Sequence, residues 1–399
     1  MSKKVCIEDS MKPLLLLSVS VAIGFAQPKP FIQSPEVHAD GSVTFRLLDP
    51  DAKSVSVALE GAKARAMQRN EQGIWSVTTE PLRPDLYGYS FDADGVHLLD
   101  PANTAIKPNL LNLSNVVHVP GASVLPWEDA DIPHGVIHHQ FYKSAIVGDN
   151  RDFYVYTPPG YDPNAQTRYP VLYLLHGFSD DASGWTAVGK ANLILDTLID
   201  QNKAKPMIVV MPLGYGAPEI VKRSPNPGSG FSNTELRERN FTNFRSALID
   251  EVIPAVERAY KVEANREARA IAGLSMGGAE SLLTGLNRLD TFSWVGAFSS
   301  GGLGGGFDSD FPQIAKAESG ASVNEQLHLL WIACGTDDHL ITPNRKLIAW
   351  LKGKDIRLTP IETPGMHTWM VWRRNLIAFA PLLFQSAQPG SATSTTAAK

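Results

Sequence analysis

The sequence predicts an all-β sandwich followed by a larger α/β part, whose mainly parallel sheet carries helices on both faces. Three observations predict this arrangement. Short alternating strands fill the region before residue 100, and apolar runs alternate with helical patterns after Gly135. A strand also meets a helix at a glycine-flanked serine in the stretch AIAGLSMGGAESLL.

The all-β part is predicted from segments such as GSVTFRLLDP, KSVSVALEG and GIWSVTTEPL, which alternate apolar and polar residues between Gly, Pro and Asp breaks. Strands at roughly 10-residue spacing are typical of a sandwich, which we place at residues 27–117. A stretch rich in Pro and Asn follows, and we interpret residues 118–135 as a linker. Trp75, Tyr87 and Tyr89 could stack on a sugar ring, but aromatic residues at strand spacing favour the core.

The α/β part is predicted from the apolar runs PVLYLLHG, PMIVVMP, ARAIAGLS, SWVGAFSS and LHLLWIACG. Continuous apolar runs indicate strands that are covered on both faces. Helical patterns such as NLILDTLIDQN lie between them, so we expect one domain over residues 136–385. The low-complexity tail at 386–399 is expected to be disordered.

The N-terminus has the pattern of a secretory leader, because Lys12 precedes an apolar run from Leu14 to Phe25. The run is shorter than the about 20 residues that a membrane span needs. We therefore expect a signal peptide at 1–26, with Met11 as an alternative start, and a secreted or periplasmic mature protein with no membrane partner.

Composition narrows the function classes further. The formal net charge is −5 and no basic cluster is present, which argues against nucleic acid and anionic membranes as partners. Without its leader the chain would keep one cysteine, Cys334, so we expect no internal disulfide.

Ser275 is the strongest candidate for a nucleophile, because it stands between Gly273 and Gly277 in a G-x-S-x-G pattern. A buried strand precedes it and a helical pattern follows, which is the setting of a nucleophile elbow. Glycines are needed there because strand and helix backbones approach closely and leave no room for Cβ atoms. The hydroxyl would lie at the carboxyl end of the sheet, where ligands bind in open α/β folds.

A serine hydroxyl needs a base to remove its proton. His367, in ETPGMHTWMVW, follows the acids of WIACGTDDHL, which matches the chain order serine, acid, histidine. Either Asp337 or Asp338 would orient the imidazole, and the spacing alone does not choose between them.

An oxyanion hole needs two N–H donors, which we expect from the amides of Met276 and Phe178. Gly177 would let the second backbone segment approach the site. His176 is interpreted as structural, because no partner acid is evident. The segments TDDH and IHH contain ligand types for a metal, but no H-E-x-x-H motif or cysteine pair accompanies them, so we predict no metal and no cofactor.

From about Gly135 to Phe384 the chain resembles carbohydrate esterase family one, which includes feruloyl, acetylxylan and enterochelin esterase-like enzymes. The stretches that carry this resemblance are RDFYVYTPPGYDP, YPVLYLLHGFSDDASGW, IAGLSMGGAES, ACGTDDHL and GMHTWMVWRRNL. The resemblance implies an α/β-hydrolase fold without a metal or organic cofactor. The stretch PLRPDLYGYSFDADGVHLLDP resembles the immunoglobulin-like, glycogen-binding-type modules that precede some of these domains.

Residue by residue, the resemblance places the nucleophile on Ser275, the base on His367 and the acid on Asp338. Asp338 matches because it is the second residue after the Gly-Thr pair. The oxyanion donors fall on Phe178 and Met276.

The resemblance further implies a serine esterase that releases acyl groups, feruloyl foremost, from plant cell-wall polysaccharide or oligosaccharide esters, and the leader predicts that it is exported. Trp185 and Trp369 flank the predicted site, and we expect them to form an aromatic wall for the acyl group or sugar. The loop at 214–236 is expected to form another wall of the cleft.

Alternatives on the same catalytic residues are an acetylxylan ester, a siderophore lactone, or acyl transfer to a sugar. The alternative from another class is a carbohydrate-binding protein with an inactive hydrolase domain.

Overall fold

The computed structural model describes residues 32–222, 229–304, 306–317 and 319–385. The predicted signal peptide and the predicted tail lie outside these ranges. Within them, no helix is both long and apolar enough to cross a membrane.

The N-terminal module consists of antiparallel strands in two sheets. Its strands are β1 (Glu36–Val37), β2 (Val43–Leu48), β3 (Val55–Leu59), β4 (Arg65–Ala66), β5 (Gln68–Arg69), β6 (Ile74–Thr78), β7 (Asp85–Ala93), β8 (Val96–Leu98), β9 (Ile106–Lys107) and β10 (Ser114–Val119). One sheet has the order β1-β2-β6-β5 and the other β4-β3-β7-β10-β9, with β8 paired to β7. The expected boundary at residue 117 falls inside β10.

The two sheets of the module enclose one apolar core. Alternate residues of β2, such as Val43 and Phe45, meet residues of β3 and β7 from the other sheet. Trp75, Tyr87 and Tyr89 are buried in this core, so their expected place in the interior is confirmed. The module is all-β, and its immunoglobulin-like character stays a prediction.

The C-terminal part is organised by one eight-stranded sheet. Its strands are β11 (Val136–Lys143), β12 (Asn150–Thr157), β13 (Val171–Leu175), β14 (Ile208–Pro212), β15 (Arg269–Leu274), β16 (Trp294–Phe298), β17 (Leu329–Gly335) and β18 (Thr359–Thr363). Their order is β11-β12-β14-β13-β15-β16-β17-β18. The contacts of β12 are antiparallel, whereas all neighbours from β14 to β18 are parallel, so the mainly parallel sheet is confirmed.

Helices cover both faces of this sheet. They are α1 (Gly184–Ala187), α2 (Ala191–Asp200), α3 (Ser229–Ser232), α4 (Thr234–Ala247), α5 (Ile253–Ala259), α6 (Met276–Gly285), α7 (Phe307–Asp310), α8 (Pro312–Lys316), α9 (Ala321–Gln326), α10 (Ile341–Gly353) and α11 (Trp369–Phe379). Val171 and Tyr173 of β13 pack in the core shared with α4, α5, α6 and α10. Leu172 and Leu174 pack on the opposite face with α2 and α11. This two-sided burial explains why the strands read as continuous apolar runs.

A buried ion pair joins the module to the α/β part. Asp85 at the start of β7 accepts hydrogen bonds from Arg373 at 2.6 Å and from Arg374 at 2.7 Å, both on α11. The side chains of Asp85 and Arg373 are both fully buried. Both guanidinium groups also lie over the ring of Trp127.

We predict that Asp85→Ala lowers the free energy of unfolding by about 3–5 kcal/mol, because Arg373 would stay buried without its charge partner. Urea denaturation followed by tryptophan fluorescence measures the change. The control Glu362→Ala removes one side of the exposed pair with Arg345, and its stability should match that of the wild type. Equal losses in both variants would contradict the structural role of Asp85.

Candidate active site

Ser275 stands at a strained turn between β15 and α6. Its backbone has φ 52° and ψ −114°, and residues other than glycine rarely adopt such a positive φ. The Ser275 amide donates to the carbonyl of Phe298 at 2.8 Å, and its carbonyl accepts from Gly301 at 2.9 Å. Because both backbone groups are held from β16 and the loop after it, the turn keeps the conformation that projects the hydroxyl.

The glycines around Ser275 are required by close backbone contacts. A Cβ atom on Gly273 would lie 2.5 Å from the carbonyl oxygen of Gly277, and one on Gly277 would overlap the carbonyl of His176. The strand, the helix and the loop after β13 therefore cross where only hydrogen atoms fit.

A hydrogen-bonded chain links Ser275 to an acid. His367 Nε2 lies 3.0 Å from Ser275 Oγ, and His367 Nδ1 lies 2.8 Å from Asp338 Oδ2. Asp338 is buried, and its Oδ1 accepts from the amide of Leu340 at 2.8 Å. Asp337 is exposed and bonds to Thr336 instead, so the geometry selects Asp338 where spacing did not.

Asp338 is held in its ionised form. Burial raises the pKa of this carboxyl, but the hydrogen bond and charge of His367 outweigh burial and bring the pKa below its usual value. The carboxylate can therefore hold the Nδ1–H tautomer of His367, leaving Nε2 free to accept a proton.

Trp185 and Trp369 do not form the expected wall of the cleft. They are 0% and 1% exposed, and their rings meet edge to face at 5.2 Å. Trp369 also packs against Trp372, whose ring lies edge to face with His367 at 4.9 Å. The two residues therefore belong to a buried aromatic stack behind the histidine, and the expectation that they contact substrate is corrected.

The loop after β13 runs beside Ser275, as an oxyanion donor at Phe178 requires. A Cβ atom on Gly177 would lie 3.4 Å from Ser275 Cβ. On the other side, Met276 begins α6, where amides have no partner inside the helix. The donor role of the Phe178 and Met276 amides stays a prediction.

His176 is held by the backbone on both ring nitrogens. Its Nε2 accepts from the amide of Gly214 at 2.8 Å, so Nδ1 carries the proton and donates to the carbonyl of Gly177 at 2.8 Å. Burial lowers the pKa of His176 and keeps it neutral. This geometry agrees with a structural role.

A cavity of about 240 Å³ is lined by Gly301, whose amide donates to the carbonyl of Ser275. Its walls come from the glycine-rich loop after β16 and from the start of α10. A Cβ atom on Gly301, which lines it, would lie 3.6 Å from Ser275 Oγ. The apolar part of the lining consists of Leu303, Phe307, Leu340, Pro343 and Leu347.

The sequence analysis did not identify the glycine-rich loop after β16 as the wall of a cavity. Its position directly after β16, at the carboxyl edge of the sheet, is the signal that could have found it. The loop at 214–236 is described except for residues 223–228, and its Phe231 packs on Phe178 with ring centroids 5.0 Å apart.

Asp338, His339 and His367 place one potential ligand atom each within 4.8 Å of one another. Asp338 Oδ2 and His367 Nδ1 already form a hydrogen bond with each other. The arrangement suits proton transfer better than metal binding.

Two buried acids near the site were not anticipated. Burial raises the pKa of Asp180 to about 7, while Lys107 and the hydrogen bond from Asn109 lower it. Burial also raises the pKa of Glu280, on α6, well above its usual value. Asn240 donates to Glu280 Oε1 at 3.2 Å, and Oε2 has no hydrogen-bond partner among the described residues.

Comparison with known proteins identifies relatives of this arrangement. The family model named Esterase matches residues 144–383. An endo-1,4-beta-xylanase/feruloyl esterase from Xylanibacter ruminicola is 30% identical over 371 residues, which cover 90% of this chain and 47% of that protein. The chain thus spans about half the length of this relative.

Solved structures agree with the fold. A ferulic acid esterase from Anaeromyces mucronatus is 25% identical, with a TM-score of 0.53 over 64% of this chain and 93% of that chain. The enterobactin esterase of Shigella flexneri is 19% identical, with a TM-score of 0.63 over 85% of this chain and 92% of that one. The α/β-hydrolase fold and the resemblance to these esterases are therefore confirmed.

We predict that Glu280→Gln becomes more stable relative to the wild type as pH rises from 5 to 8. In the unfolded chain Glu280 ionises above about pH 4–5. In the folded protein burial keeps it protonated. The free energy of unfolding of the wild type therefore falls by up to about 1.4 kcal/mol per pH unit. Urea unfolding at each pH measures the difference. A difference that stays constant over this pH range would contradict a protonated buried acid.

Proposed function

The chain belongs to the esterase family, and we propose that it is a serine carboxylic-ester hydrolase with Ser275 as its nucleophile. The observation that carries this proposal is the hydrogen-bonded chain from Ser275 through His367 to Asp338. Family membership supports the reaction class, and the strained turn at Ser275 supports the choice of nucleophile.

In the first half of the reaction, Ser275 Oγ bonds to the ester carbonyl carbon as His367 Nε2 takes its proton. The carbonyl π electrons move to oxygen, and the amides of Phe178 and Met276 stabilise the resulting oxyanion. When the carbonyl re-forms, the bond to the alcohol breaks and His367 gives its proton to the departing oxygen. The product is an alcohol and an acyl group on Ser275.

In the second half, water attacks the acyl carbon while His367 again takes a proton. Collapse of this second tetrahedral species releases the carboxylic acid and returns the proton to Ser275. Asp338 stabilises the imidazolium that forms in each half, which its lowered pKa allows.

For the acyl group we propose a feruloyl or similar aromatic ester of a plant polysaccharide or oligosaccharide. The apolar side chains that line the cavity at Gly301 support an aromatic acyl group, because an aromatic ring buries a large apolar area against such side chains. The relatives named for feruloyl and ferulic acid esterase activity support the same class. We also propose export, which is supported by the apolar run at residues 14–25.

The experiment that tests the function compares methyl ferulate, 4-nitrophenyl acetate and acetylated xylan as substrates of the wild type and Ser275→Ala. We expect ferulate release by the wild type and none by the variant, with an unchanged melting temperature. Release of acetate alone would show that the acyl group of the substrate is acetyl and not feruloyl. Formation of a new ester with an added alcohol would indicate acyl transfer in place of hydrolysis. Absence of hydrolysis and of labelling by a fluorophosphonate would leave a carbohydrate-binding protein.

We predict that Asp338→Asn lowers kcat about 10⁴-fold, because the amide would hold the wrong imidazole tautomer. The matched variant Asp337→Asn changes the neighbouring exposed acid and should leave kcat at the wild-type value. Steady-state kinetics on methyl ferulate separate the two variants. A larger loss in Asp337→Asn would reassign the acid.

We predict that Gly304→Trp selectively impairs aromatic esters. Gly304 lines the cavity, and a Cβ atom on it meets nothing within 4 Å, so an indole there adds bulk at the cavity wall without forcing the backbone. The kcat/KM for methyl ferulate should fall at least ~10-fold relative to that for 4-nitrophenyl acetate. Gly353→Trp, at the opposite end of α10 and equally open, is the control, and equal effects on both esters would place the acyl group elsewhere.

A further inference from the structure

The N-terminal module touches the loops that carry the predicted oxyanion donor and the histidine. We call residues 176–180 the oxyanion loop and residues 364–369, which end at the first residue of α11, the histidine loop. The contacts come from two parts of the module, Glu60 after β3 and the residues Asn109 and Leu110 after β9.

Asn109 and Leu110 hold the oxyanion loop one residue beyond Phe178. Asn109 Nδ2 donates to Ser179 Oγ at 2.9 Å and to Asp180 Oδ1 at 3.3 Å. The amide of Leu110 donates to the carbonyl of Ser179 at 2.7 Å. Ser179 has φ 72°, so these bonds hold a backbone conformation that a serine would not keep unaided.

Glu60 holds the chain on the other side of Ser275. Its Oε1 accepts from the amide of Trp369 at 3.0 Å, at the first residue of α11 and two residues after His367. Thr368, at the N-cap of this helix, makes no side-chain capping bond. A carboxylate at that position satisfies a free amide and complements the positive end of the helix dipole.

The carboxylate of Glu60 is itself fixed by the module. Its Oε2 accepts from the amide of Gly88 at 3.0 Å and from Lys107 at 3.4 Å. Lys107 is two residues from Asn109, so the two contacts with the catalytic loops share one supporting cluster. The buried pair of Asp85 and Arg373 anchors the same side of the module to α11.

We propose that the module is part of the catalytic apparatus, with Asn109 and Glu60 as positioning residues for the Phe178 amide and for His367. This inference rests on the proposed function. It assigns the module a role in positioning the catalytic loops. Catalytic groups lose much of their effect when they are displaced by about 1 Å. The contacts at Ser179, one residue from Phe178, and at Trp369, two residues from His367, should therefore affect kcat.

Asn109→Asp tests the first contact without removing the local turn. Asn109 Oδ1 accepts from the amides of Leu111 and Asn112, and an aspartate keeps both bonds while turning the Nδ2 donor into an acceptor facing Asp180. We expect kcat to fall ~10- to 100-fold with little change in KM. The control is Asn70→Asp. Asn70 Oδ1 accepts from the amides of Gln72 and Ile74 in a similar turn of the module.

Glu60→Gln tests the second contact independently. In the wild type, the two oxygens of Glu60 accept from the amides of Trp369 and Gly88. A glutamine has one acceptor oxygen, so its NH₂ group would face one of these two donors and that hydrogen bond would be lost. The expected result is again a fall in kcat at nearly constant KM. Its control is Asp94→Asn, because Asp94 accepts from the amides of Lys53 and Ser54 on an exposed turn of the module.

The deciding readout is the rate at which a fluorophosphonate labels Ser275 in each full-length variant, with Ser275→Ala as the blank. Slower labelling of Asn109→Asp and Glu60→Gln, but not of their controls, supports the proposal. Wild-type rates in both test variants overturn it, and so do equal losses in the controls, which would indicate general destabilisation. A wild-type protein that is not labelled contradicts the proposed function itself.

Discussion

The site depends on one backbone crossing, where the turn at Ser275 passes over the loop after β13. Gly273, Gly277 and Gly177 bring three chain segments within contact distance, and a Cβ atom at any of them would collide with a neighbour. The crossing places the serine hydroxyl, the start of α6 and the oxyanion loop together. It also forces Ser275 into a left-handed conformation that the surrounding sheet must maintain.

The rest of the fold serves to maintain that crossing. Hydrogen bonds from β16 and its loop fix the backbone of Ser275, and neutral His176 links the ends of β13 and β14 beneath it. A stack of buried indole rings supports His367 from behind. The module adds contacts to the oxyanion loop through Asn109 and to the histidine loop through Glu60. Residues from both parts of the described chain therefore surround the site.

Much of this arrangement could be predicted from sequence because its signals are local. The elbow around Ser275 combines a buried strand, glycines and a helix start within a dozen residues, and the apolar runs reveal the sheet. Asp338 could not be separated from Asp337 by spacing, since only the turn after β17 decides which carboxylate is buried.

The errors and omissions have a common physical origin in long-range packing. Trp185 and Trp369 lie close to the motifs in sequence, but they stack on each other in the core, which no local pattern reports. The contact between Glu60 and Trp369 joins residues 309 positions apart. The burial of Glu280 near the start of α6 likewise comes from neighbouring segments and has no signal in the local sequence.

In the proposed reaction, Ser275 carries the acyl group during turnover. The most direct test is mass spectrometry of proteolytic peptides from the wild type quenched with acid during hydrolysis of methyl ferulate. We predict a feruloyl adduct on the peptide that contains Ser275 and its disappearance once substrate is exhausted. Continued turnover with the adduct on another residue, or undiminished turnover by Ser275→Ala, would rule out Ser275 as the nucleophile.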